Sequence, residues 1–150
     1  VHIMTPYLIL DSEMISALTR TAKSGIEVII IMPHIPDKWY AFALAKTYYR
    51  ELIRAGVQIY EYTPGFVHAK VFVSDDDTAT VGTINLDYRS LYLHFECGVF
   101  IYNNSVIDKI ERDFQQTLAK CHKISLLDVR KTTMLTKLAG QVLRLFAPLM

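Results

Sequence analysis

Hydrophobic positions along this chain follow two rhythms, and the change between them predicts its architecture. Over residues 1–62, short apolar runs alternate with longer stretches of helical periodicity. Residues 1–4 are apolar enough for a strand, broken at Thr5-Pro6-Tyr7. Asp11 can cap a helix that ends at Gly25, in which Met14, Ile15, Leu18 and Ala22 recur at helical spacing. Residues 26–32, rich in β-branched side chains and closed by Pro33 and Pro36, predict a strand buried on both faces. Asp37 opens a second helix, Gly56 closes it, and residues 57–62 form another strand. Two successive strand, helix, strand passages imply parallel strands in an α/β layer.

The second half changes character. Residues 67–74, 78–81 and 94–102 are strand-like runs joined by short loops, with Asp75-Asp76-Asp77 as a turn, so this half is predicted to be locally antiparallel. Ser105 starts a helix through about Cys121. Residues 129–147 predict a terminal amphipathic helix, in which Leu135, Leu138, Val142 and Leu145 share one face. From residue 120 onward, Lys120, Lys123, Arg130, Lys131, Lys137 and Arg144 face the single acid Asp128. Two arrangements give that pattern: a helix lying on anionic lipid, or a core-facing helix with a solvated basic side.

With 150 residues, 51% hydrophobic and 21% charged, the chain is expected to fold as one domain spanning residues 1–150. A formal net charge of +1 leaves no domain-wide basic field, so no nucleic-acid partner is expected. Cys97 and Cys121 make neither a metal framework nor a disulfide scaffold, which favours a reducing compartment. Nothing at the start resembles a signal peptide, the chain does not begin with Met and reads as an excised piece, and no run is long enough to span a bilayer.

The chemistry concentrates between residues 68 and 96. On an extended strand His68 and Lys70 share one face, and two such neighbours are tolerable when an anion sits over them. Asp75 then falls on the opposite face, as a structural anchor. Gly82 permits close backbone approach, Thr83 offers a hydroxyl and an amide, and Asn85 offers an NH₂ donor. With Lys70 these can hold the nonbridging oxygens of a phosphoryl group. His68 is the candidate nucleophile, and Glu96 can accept from its Nδ1, leaving Nε2 free to attack. The bland alternative is a buried, hydrogen-bonded His beside a snorkelling Lys. Lys38, Trp39 and Tyr40, after a strand's carboxyl end, form a candidate rim for lipid, although packing of Trp39 under its loop fits equally. Tyr48 and Tyr49 read as helix surface and core, and Cys97 as a buried, inert thiol.

His68-Ala69-Lys70, Asp75, and Gly82-Thr83-Ile84-Asn85 resemble the HKD motif of the phospholipase D superfamily, with Glu96 where that family keeps its histidine-orienting acid. Gly65-Phe66-Val67, Tyr60-Glu61-Tyr62, Arg89-Ser90 and Arg144-Leu145-Phe146-Ala147-Pro148-Leu149 extend the resemblance to the C-terminal half of bacterial cardiolipin synthases. Tyr88 and His94 stand where that family commonly has Arg and Asn.

The resemblance implies a mixed sheet flanked by helices on both faces, carrying one HKD half. It implies phosphatidyl transfer between two phosphatidylglycerol molecules through a phosphohistidine, with no cofactor and no metal. His68, Lys70, Asp75, Asn85 and Glu96 would be catalytic, and Gly82 and Thr83 substrate-binding. The second motif would come from an N-terminal half or from a second copy in a homodimer. The expected location is the cytoplasmic face of a bacterial cell membrane, as a peripheral domain in contact with anionic lipid. Alternatives are a phospholipase D-like phosphodiesterase or nuclease acting as a homodimer, and a catalytically silent lipid-binding domain.

Overall fold

Seven strands form one mixed sheet in the computed structural model, which describes residues 1–149. The elements in chain order are β1 (His2–Met4), α1 (Ser12–Lys23), β2 (Ile29–Pro33), α2 (Trp39–Ala55), β3 (Gln58–Tyr62), β4 (Val71–Ser74), β5 (Thr78–Gly82), β6 (Gly98–Tyr102), α3 (Val106–Leu118), β7 (Cys121–Lys123), α4 (Leu126–Lys131) and α5 (Met134–Arg144). A π-helical turn, Arg89–Leu93, precedes β6, and a 3₁₀ turn, Ala147–Leu149, follows α5.

The strand order is β6-β5-β4-β1-β2-β3-β7. β1, β2 and β3 run parallel at the centre, and β4, β5, β6 and β7 each join antiparallel. Both predicted rhythms are therefore present. Every residue of β2 is buried, as its uninterrupted apolar run requires for a central strand covered on both sides. Helices α1 and α2 cover one face, where Leu44, Tyr48, Tyr49 and Leu52 pack on Ile3, Ile30 and Ile59. Helix α3 covers the other, with Ile107 and Phe114 against Met4, Ile29 and Val73. Among the described residues no helix is long and apolar enough to cross a membrane.

Several boundaries differ from expectation. β4 begins at Val71 and β6 at Gly98, so His68, Lys70 and Glu96 lie on extended or irregular backbone just outside the strands. Cys121, expected at a helix end, instead opens β7, an edge strand pairing with β3. The single terminal helix over 129–147 is two: Thr132 adopts ψ 133, and the Thr133 hydroxyl caps Thr136 N to start α5. Asp11 caps α1 as expected, accepting from Met14 N at 2.7 Å. Asp37 does not cap α2, because its carboxylate accepts from the Tyr7 hydroxyl at 2.5 Å.

Candidate active site

Strand register brings the chemistry to one edge of the sheet. Met4 pairs with Val71, Val71 with Val81, and Gly82 with Gly98. The segments that continue beyond these residues, 68–70, 83–85 and 96–97, therefore emerge together, at the carboxyl end of the parallel strands. Asp75 leaves at the other end of β4, since Ser74 pairs with Thr78 and Val73 with His2. Five residues of extended chain separate it from Lys70, roughly 16 Å. The structure thus does not bring Asp75 to this group. It is exposed, has φ +54, and accepts from the Ser74 hydroxyl at 3.0 Å, a turn residue of the β4–β5 hairpin.

Lys70 is buried, and its ammonium donates to the His68 carbonyl oxygen at 2.7 Å. Burial pushes its pKa below the ordinary lysine value, opposed by the negative charges of Glu96, Asp87 and Asp37. The two neighbours differ in burial, and the Lys70 ammonium is held at the His68 backbone rather than free in solvent. His68 is exposed and Lys70 turns inward among carboxylates. The His68 ring lies 5.6 Å from the Phe66 ring, centroid to centroid, and makes no hydrogen bond among the described residues.

Glu96 has different partners from the predicted one. Its carboxylate accepts from the Thr83 hydroxyl, and Nδ1 of His94 lies 3.7 Å from Oε1. Hydrogen bonding from Thr83 first and Ser90 second, aided by the His94 and Lys70 charges, holds the Glu96 carboxyl below the usual carboxylate range. Thr83 is fully engaged: Cys97 N donates to its hydroxyl at 2.9 Å, and its own amide donates to Cys97 O at 2.9 Å. Its hydroxyl and amide clamp the Glu96-Cys97 segment, so the structure does not offer them to a phosphoryl group. Gly82 is likewise explained by the chain itself. A Cβ there would stand 2.3 Å from Cys97 O and 2.6 Å from Gly98 Cα, so the close approach is by β6.

Asn85 Nδ2 donates to Ser90 Oγ at 3.1 Å, and its Oδ1 is buried with no partner among the described residues. Ser90 links Asn85 to Glu96 and was not singled out as a site residue from the sequence. The signal was present in Asp87-x-x-Ser90, a cap spacing: buried Asp87 accepts from Ser90 N at 2.7 Å and fixes the π-helical turn. Beside it, Tyr7, Lys38, Tyr40, Asp87, Arg89 and Leu149 line a cleft of about 260 Å³. Lys38 and Tyr40 thus border the site region, while Trp39 is 69% exposed and does not pack under its loop. Tyr48 and Tyr49 are both core. Cys97 is exposed rather than buried, because the chain before β6 does not follow strand alternation.

Residues 1–118 match the family described as cardiolipin synthase, PLD-like domain. A cardiolipin synthase of Clostridium perfringens is 39% identical over 148 residues, 99% of this chain and 31% of that protein. The chain therefore spans less than a third of that relative's length. Two solved structures share the fold at 18% identity and a TM-score of 0.69. One is the phospholipase D family member Nuc from Salmonella typhimurium, covering 81% of this chain and 79% of that one. The other is the phosphatidylserine synthase of Haemophilus influenzae, covering 99% and 39%.

Proposed function

We propose that this chain, which belongs to the cardiolipin synthase family of phospholipase D-like domains, supplies one of two half-sites of a phosphatidyltransferase that joins two phosphatidylglycerol molecules. The supporting observation is the convergence of Lys70, the Asn85–Ser90 pair and Glu96 at one sheet edge, carried there by three separate segments.

Nε2 of His68 attacks the phosphorus of one phosphatidylglycerol, the bond to its headgroup glycerol breaks, and glycerol departs with a proton from the second motif's histidine. A hydroxyl of the second phosphatidylglycerol then gives its proton to that histidine and displaces His68 from phosphorus. Lys70 has two ammonium hydrogens beyond the one given to the His68 carbonyl, and Asn85 has one N–H beyond that given to Ser90. These are the donors assigned to the nonbridging oxygens, whose charge grows in the transition state. Glu96 is the carboxylate assigned to Nδ1–H of His68 in the assembled site. Thr83 and Gly82 act through Glu96, by holding its segment against β5.

The second motif is assigned to the remainder of the protein. Apolar side chains beside the site, Leu93, Phe95, Val99 and Phe100, are more than 60% exposed and provide a surface for that half. The test is a quench experiment with the full-length protein and phosphatidylglycerol labelled in its phosphate. Label should appear on His68 and be lost in His68→Ala, with cardiolipin and glycerol as products of the wild type. Label surviving His68→Ala would overturn the nucleophile assignment. Phosphatidic acid without cardiolipin would replace transferase by hydrolase.

A further inference from the structure

We propose that α5, together with the start of α2, is a docking surface for anionic lipid bilayer, and that it seats the site against the membrane. The inference goes beyond the transferase reading and does not depend on the roles given to His68 or Lys70.

Helix α5 has two apolar faces. One is spent on the fold: Gly140 is buried so close to α2 that a Cβ would stand 2.6 Å from Thr47 Cγ2 and 2.7 Å from Ala43 O. The other is the stripe of Leu135, Leu138, Val142 and Leu145, and it points away from the protein. These side chains are 78%, 65%, 51% and 79% exposed, and Met134 at the helix start is 80% exposed. A core-facing terminal helix would bury that stripe, so of the two arrangements compatible with the sequence the outward one is present. Across a groove lined by Pro36, Phe42, Leu135 and Ala139 stands Trp39, itself 69% exposed. The patch is thus continuous over two helices, larger than a lone exposed leucine would signify.

Charge and position both favour lipid as the occupant. From Lys120 onward six cations accompany one acid, and on the patch itself Lys46 lines the groove with Trp39 and Leu135, whereas Lys137 donates to Arg130 O at 2.8 Å and the Arg144 guanidinium lies over the buried Tyr48 ring, on the α2 side of the helix. An apolar stripe with Lys46 and Trp39 at its rim matches an anionic interface. After α5, the chain turns so that Leu149 lines the cleft with Lys38, Arg89 and Asp87, and Asp87 is bonded to Ser90 at the site. A lipid with its chains in the bilayer would have its headgroup at that cleft. The apolar surface around Phe95 and β6 shares no residue with this patch.

Trp39 is the only tryptophan in the chain and reports directly on the patch. The chain is mixed with vesicles of phosphatidylcholine alone or of equal phosphatidylcholine and phosphatidylglycerol, and partition is read by co-sedimentation and by Trp39 emission. Binding to the anionic vesicles with a blue shift is expected. The triple variant Leu135→Gln, Leu138→Gln, Leu145→Gln should weaken partition at least ~10-fold with unchanged circular dichroism, because these side chains are already in water. His68→Ala should bind as the wild type, which separates failure of this proposal from failure of the transferase reading. Absence of binding to anionic vesicles, or a triple variant that partitions as the wild type, would overturn the proposal. So would a wild-type dimer that avoids vesicles and dissociates in the triple variant, which would give the stripe to a second copy.

Discussion

Replacing Gly82 by Ala tests whether the site's acid is held by backbone packing. The new Cβ would meet Cys97 O at 2.3 Å and Gly98 Cα at 2.6 Å, far inside the ~3.5–4.0 Å optimum for nonbonded carbon. Both obstacles are backbone, so no side chain can swing away, and β6 must move off β5. Overpacking of this kind costs about 1–3 kcal/mol. The shift also strains two hydrogen bonds, Thr83 N to Cys97 O and Cys97 N to Thr83 Oγ1, at about 1 kcal/mol each. Raised order of the unfolded Ala chain returns about 0.4–1 kcal/mol, leaving a net loss of roughly 2–4.6 kcal/mol. With a urea m value of about 2 kcal/mol per molar, the unfolding midpoint should fall by about 1–2.3 M. Gly98→Ala is the control: its Cβ would lie 3.5 Å from Ile84 Cδ1, an ordinary contact, and its midpoint should move by less than ~0.5 M. Because the Thr83–Glu96 contact rides on the same pairing, Gly82→Ala should also lower turnover in the full-length protein. Equal midpoints for the two variants would refute the idea that Gly82 is dictated by β6.

Ser90→Ala removes a hydrogen bond from both Asn85 and Glu96, so the Glu96 carboxyl should titrate closer to the ordinary carboxylate value, followed by carbon NMR of labelled glutamate, and kcat should fall about 10-fold. The depressed Glu96 pKa stabilises the fold above the unfolded carboxylate pKa, and that stability is lost as pH falls through the folded value. Unfolding midpoints at acid pH should show a smaller loss in Glu96→Gln than in wild type. Lys70 is also depressed, so its unfolded form binds more protons between the folded pKa and 10.5, and its contribution to stability rises with pH there. Its role as a cation runs the other way: the alkaline limb of kcat/KM should lie below 10.5 and move upward in Lys70→Arg, as far as that variant retains activity. Gly140→Ala should lower stability by about 1–3 kcal/mol by forcing α5 from α2, measurable by thermal unfolding.

The architecture was legible where hydrophobic rhythm decides it. The uninterrupted apolar run around Ile30 could only be a strand covered on both sides, and Asp11 with Gly25 bracketed α1 by capping chemistry alone. Strand alternation failed just outside the strands. It was extended to His68, Lys70 and Cys97, whose backbone is already irregular, so it put Cys97 inside and gave no hint that Lys70 is buried while His68 is exposed. Residue types pointed to the right segments, but which donors remain free depends on partners distant in sequence. Thr83 and Cys97 are one example, and Tyr7 with Asp37 is another. Ser90 was missed because a serine carries no signal until its neighbours are known, although Asp87 three residues earlier announced the cap.

The partners divide the candidate site into a fixed part and a free part. Lys70, Thr83, Asn85, Ser90 and Glu96 are tied to one another or to backbone, so their donors and charges need little reorganisation when an anion arrives. The His68 side chain alone of the group is exposed and unbonded among the described residues. A free imidazole spends most of its time in unproductive orientations, and fixing a ring against its own rotamer freedom needs a partner for Nδ1 or a packing surface. Within this chain the nearest ring is Phe66, which is itself 38% exposed and cannot lock anything. In our reading, the second half therefore contributes twice: it brings the acid and base for the leaving and entering alcohols, and by covering Phe66 and Phe95 it sets the His68 ring toward Glu96. Covering should be visible as slowed ring flipping of Phe66 and a single, sharp His68 ring resonance in the full-length protein. If the His68 resonance remained averaged in an enzyme turning over at full rate, orientation by the second half would be excluded.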